Sequence, residues 1–237
     1  EKPVYKYASQ FALSPCTTST ATETCAKIED GKVYVNNGFW DTYRTTWPAY
    51  ALLTPTQAGE MIDGFVQHYR DGGWISRWSS PGYANLMVGT SANIAFADAY
   101  LKGVTNFDVR SFYQSAVKDA AVVPPNANVG RKGMETSIFN GYTNTSTGEG
   151  LSWALDGYIN DYGIANLAKV LAEKSDKTDP YQPYYEEDYK YYLNRAQNYI
   201  NMFNPKLGFF NGRTASGAWR STPENFNPAD WGGDYTE

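Results

Sequence analysis

The sequence contains one histidine and two cysteines in 237 residues. Two thiols and one imidazole cannot make a four-ligand zinc site. No apolar run approaches the roughly 20 residues that cross a bilayer, so a membrane is not an expected partner. No basic cluster occurs, and 20 Lys and Arg stand against 25 Asp and Glu, for a net charge of −5. Nucleic acid is therefore not an expected partner either. Strand patterns are scarce, with Lys32 to Val35 the one short candidate. The first residues carry no signal-peptide pattern. The chain opens on Glu1 and is expected to be a processed or excised piece.

Aromatic side chains are abundant: 20 Tyr and 7 Trp help bring the aromatic share to 16%. Such enrichment fits a carbohydrate cleft, where flat rings with polar edges suit sugars, and it fits a large core equally well. The length allows one domain or two small ones. Cys16 and Cys25 bracket the polar stretch TTSTATET. They are expected to close a small loop in an oxidising compartment, the alternative being two free thiols. Asn144-Thr145-Ser146 is a glycosylation sequon that matters only in a glycosylating host.

The dominant period is helical. From Thr54-Pro55, apolar residues recur at Ala58, Met61, Ile62, Phe65, Val66 and Tyr69, with Thr54 as the expected cap and Gly72-Gly73 as the stop. Further helices are expected from Ser91 to Lys102, from the Asp108 cap to Pro124, after Ser152, and from Tyr185 to Phe203. A short helix is expected before Cys16. Long links rich in Gly, Trp, Asn and Ser join them, such as Gly72 to Thr90 and Leu207 to Glu237. Loops of this length usually carry function. About six helices joined by such loops make about half of the twelve in a ring of six hairpins.

Phe39-Trp40-Asp41-Thr42-Tyr43-Arg44 followed by Thr45-Thr46-Trp47-Pro48 puts two indoles, a carboxylate and a guanidinium close together. A pyranose stacks its C–H face on a ring and offers its hydroxyls to charged, bidentate partners. The other reading is a core turn with one satisfied ion pair.

Four stretches, in order, resemble glycoside hydrolase family 92, the calcium-dependent exo-α-mannosidases. They are FWDTYRTTWPAYALLTP from Phe39, GGWISRWSSPGYANLMVGTSANIAFADAYLKG from Gly72, LSWALDGYINDYGIANLA from Leu151, and NMFNPKLGFFNGR from Asn201 with DYTE at the end. The resemblance implies a mainly α fold, with residues 1–237 forming the N-terminal half of an (α/α)6 toroid. The preceding β-sandwich domain and the second half of the toroid would be further parts of the protein. The implied activity is inverting hydrolysis of terminal α-linked mannose from mannan or N-glycan, in a secreted or extracytoplasmic setting.

The family's general acid is a Glu in a Thr-Glu-Gly context, and Thr236-Glu237 matches it up to the last residue, so Glu237 is the implied catalytic acid. Trp40, Asp41, Arg44 and Trp78 are the implied substrate-binding residues, the alternative for Asp41 and Arg44 being that they hold the loop from behind the pocket. Trp40 and Trp47 are each either a sugar platform or core, and Trp74 shares the rim loop with Trp78. The base and most ligands of the implied Ca2+ lie in segments without a match here, and no Asp of this chain is assigned to either. Asp98 and Lys102, four apart, are expected to pair with each other. Asp156 and Asp161 are expected to be structural, and His68 to be solvated on the polar side of its helix. Two alternatives remain: a relative that cleaves mannose phosphodiesters, and a non-catalytic carbohydrate-binding module. The match at Glu237 argues for an ordinary glycoside.

Overall fold

The computed structural model describes residues 4–12, 25–229 and 233–235. Within these, the chain is mainly helical. Two helices begin in the first motif: α1 (Phe39–Thr42) and α2 (Thr46–Leu53). They are followed by α3 (Pro55–Gly72), α4 (Ala92–Leu101), α5 (Val109–Ala121), α6 (Met134–Asn140), α7 (Gly150–Lys174) and α8 (Tyr185–Ala196). A 3-10 turn over Gln197–Met202 ends the last helix.

The helices form two rows. In one row α4 packs on α2 and on α7. In the other α3 packs on α5, and α5 meets α8 where the Tyr113 hydroxyl donates to Asp188 and its ring meets Tyr185 edge-on. Three pairs, α2–α3, α4–α5 and α7–α8, thus stand side by side as in part of an (α/α) toroid. Periodicity explains the core between the rows. Ala58, Ile62, Phe65 and Val66 of α3 are buried, and they lie on one face of a 3.6-residue helix. Phe39, Trp47, Phe65 and Phe96 meet ring to ring at 5.0–6.3 Å. Each such ring contributes about 1.5–3 kcal/mol through burial.

Several expectations are corrected. Among the described residues before Cys16, a strand stands in place of the expected helix: β1 (Lys6–Ala8) pairs antiparallel with β2 (Ile28–Asp30). Lys32 to Val35 is not a strand; Tyr34 instead lies against α3, where its amide donates to the Gly64 carbonyl and its own carbonyl faces His68. Thr54 does not cap α3 through its side chain; its hydroxyl donates back to Tyr50 in α2. His68 is fully buried rather than solvated. Its ring stacks on Phe11 at 3.8 Å. A carbonyl only accepts, so Nε2 carries the proton toward Tyr34 O at 2.7 Å, and Nδ1 accepts from Ser76 Oγ at 2.9 Å. Asp108 does cap α5, accepting from the Ser111 amide.

Cys25 is disulfide-bonded. Cys16, the one other cysteine, lies outside the described residues. Asn144 of the sequon is buried, with its amide donating to Thr136 and its carbonyl accepting from Ser146.

Candidate active site

Strands β3 (Asn37–Gly38) and β4 (Trp78–Ser79) stitch the first motif to the long loop after α3. Gly38 pairs with Trp78, and a Cβ on Gly38 would sit 2.1 Å from the Trp78 indole nitrogen. Only glycine lets this ring lie on the backbone. Phe39 then turns inward and anchors α1 in the core, which leaves Trp40, Asp41 and Arg44 on the outside of the turn.

Arg44 packs over the Trp40 ring at 5.1 Å and the Tyr43 ring at 4.6 Å, and its Nη2 donates to the Trp40 carbonyl at 3.3 Å. Among the described residues it makes no ion pair with Asp41, so the core-turn reading fails. The carboxylate and the guanidinium both face outward. Trp47 is core, and so is Trp74, which carries the Lys118 ammonium over its ring at 4.4 Å. Trp40 and Trp78 are half-buried, as a stacking platform needs.

The two aspartates of α7 have different environments. They are five residues apart, which places them roughly 140° apart around a helix. Asp161 is buried and takes Arg131 Nη1 at 2.7 Å and Arg195 Nε at 3.0 Å. Arg195 also donates to the Ala120 carbonyl, so this group ties α7, α8 and α5 together. It is structural, as expected. Asp156 is half-buried and faces the first motif: Arg44 lowers its pKa and it raises that of Tyr43. Burial outweighs Arg44 and pushes its carboxyl up to about 6. Sequence reasoning grouped the two aspartates, yet the spacing of five was a visible sign that they differ.

The start of α7 also receives the end of the chain. The Glu149 amide donates to Gly233 O at 2.7 Å, and the Ser152 amide to Asp234 O at 3.2 Å. Asp234 is buried and paired with Arg220 at 2.9 Å. Glu237 lies outside the described residues. The first motif, the 78–91 loop, the start of α7 and the 233–235 segment therefore gather where α2, α4 and α7 begin.

Two other features are structural. Lys102 and Asp98 pair at 2.6 Å on the exposed side of α4. A separate cleft of about 270 Å³ beside α6, α7 and α8 is lined by Arg131, Asp161 and Arg195, charges that already pair with one another. No group of three or more His, Cys, Asp or Glu able to hold a metal ion occurs among the described residues. The donor set among the described residues does not fit calcium.

Known proteins share this architecture. A family GH92 inverting mannosidase of Bacteroides thetaiotaomicron VPI-5482 superposes with a TM-score of 0.79 at 29% identity, over 90% of this chain and 27% of that one. A family GH92 α-mannosidase of Bacteroides thetaiotaomicron superposes with a TM-score of 0.74 at 26% identity, over 90% and 26%. An uncharacterized secreted glycosidase of Arthroderma benhamiae is 28% identical over 154 residues, 55% of this chain and 18% of the relative. The chain thus spans about a quarter or less of these proteins. The model of the glycosyl hydrolase family 92 catalytic domain matches residues 9–237, and the chain belongs to glycosyl hydrolase family 92.

Proposed function

We propose that this chain is the N-terminal half of the catalytic toroid of a secreted enzyme that removes terminal α-linked mannose from mannan or N-glycan with inversion. The observation that carries the reading is the meeting of Trp40, Arg44, Trp78 and Asp156 near the starts of α2, α4 and α7, in a chain of this family. Half-buried rings beside outward carboxylates and a guanidinium suit a pyranose. The bonded Cys25 fits an oxidising compartment. A β-sandwich domain and the second half of the toroid would complete the protein.

Inversion needs two carboxyl groups about 6.5–9.5 Å apart, one protonating the leaving oxygen and one holding water on the opposite face. Glu237 is the proposed acid. The base and the calcium ligands belong to other parts of the protein. Trp40 and Trp78 would stack on the sugar, and Asp41 and Arg44 would bond its hydroxyls.

Glu237→Gln in the full-length protein tests the acid. Hydrolysis of alkyl mannosides, whose leaving groups depart only when protonated, should fall by at least about a hundredfold, the scale of general acid catalysis. An activated aryl mannoside should be largely spared. Equal loss on both substrates would remove Glu237 from the acid role.

A further inference from the structure

We propose that Asp156 is a substrate-binding carboxylate of this pocket, which holds a sugar hydroxyl between α7 and Arg44. The inference rests on the mannosidase reading and adds a residue to it. Asp156 is pressed against the loop before α4: a Cβ on Gly89 would lie 3.0 Å from the Asp156 Cβ and 3.3 Å from its Cγ. Gly89 has φ +76°, so this close approach needs glycine twice over. The Ser91 hydroxyl lies 3.1 Å from the same point and is buried with no hydrogen-bond partner. The position of the carboxyl group is thus set by backbone packing.

Its bonding capacity is unused. Asp161 has two arginines, Asp234 has Arg220, and Asp108 has Ser111 and Arg70. Among the described residues, no hydrogen bond or ion pair reaches the Asp156 carboxylate, and Arg44 acts on it only through charge. Burying such a group without a partner is unfavourable, and a purely structural position would be better filled by a bonded or apolar side chain. Sites that break the packing rules in this way are where ligands bind. Half-buried, it remains open to a ligand on the side where Arg44 and Tyr43 stand. A carboxyl group with its pKa near 6 also both donates and accepts near that pH, which matches a hydroxyl.

The test uses the full-length protein, Asp156→Ala and Asp156→Asn, with a panel of mannosides each lacking one hydroxyl. Binding of methyl α-mannoside is measured by calorimetry alongside kcat and KM, and thermal melts verify folding. Losing a hydrogen bond to a charged group should lower kcat/KM and mannoside affinity about ten- to hundredfold in Asp156→Ala. Asp156→Asn, which keeps the shape, should retain more. One deoxy substrate should be penalised in the wild type and no longer be discriminated by Asp156→Ala, since the partner is already gone. Unchanged affinity, or a loss that leaves the discrimination against every deoxy substrate intact, would overturn the proposal. A wild type that binds mannoside without hydrolysing any would sink the mannosidase reading alone, and the binding data would still judge Asp156. A wild type that does neither would overturn both.

Discussion

At the scale of the residue, environment decides role. Trp47 and Trp40 lie seven apart in one motif, yet one fills the core and the other supports Arg44 at the surface. His68 shows the same principle with a measurable consequence. Burial lowers its pKa to about 3, against about 6.5 for an unperturbed imidazole. Between these values the unfolded chain binds the proton and the folded one does not. The contribution of His68 to stability is thus complete above pH 6.5 and declines as pH falls toward 3. His68→Gln should destabilise the protein at pH 7.5, and the wild type's advantage should shrink by roughly 1–2 kcal/mol by pH 5. Urea unfolding at both pH values measures this, and a constant gap would show that His68 does not titrate on unfolding.

At the scale of the element, the contact of α4 with α7 sets the geometry of the site, because Ser91 stands at the N-cap position of α4 and Asp156 lies in the second turn of α7. That contact is close because Gly163 has no side chain. A Cβ there would lie 2.9 Å from the Ile94 Cα and 3.2 Å from the Asn93 carbonyl, both backbone atoms that cannot rotate away. Gly163→Ala should therefore destabilise the fold by about 1–3 kcal/mol as the helices separate, despite alanine's better helix propensity. Gly148→Ala, with nothing within 4 Å of its Cβ, should be near neutral. Thermal melts of the pair separate a packing effect from a generic glycine effect; equal melting temperatures would refute it.

At the scale of the molecule, the row of α2, α4 and α7 ends in exposed apolar side chains. Leu52 and Leu53 of α2 are 79% and 75% exposed, and Ile159 and Tyr162 of α7 are also open. Exposed apolar surface at both ends of an arc of hairpins suits a ring completed by further hairpins. We expect the chain alone to leave an activated aryl α-mannoside intact and the full-length protein to hydrolyse it, as followed by aryl release. Comparable turnover by the chain alone would refute the half-toroid reading.

The helical pattern and its boundaries at 55–72, 92–101 and 109–121 were readable to within a few residues, and the start of 150–174 as well. Burial of one face repeats every 3.6 residues whatever the partner, so the signal is local. The order of the four motifs likewise identified the family from the residues themselves. Other features depended on partners distant in sequence. His68 reads as a polar-face residue until Phe11, Tyr34 and Ser76 close around it. Asp161 and Asp156 read alike until Arg131 and Arg195 neutralise one and Gly89 holds the other, unbonded, near Arg44. Helical periodicity belongs to the chain, whereas the solvation and charge partners of a carboxylate belong to whatever the fold packs beside it.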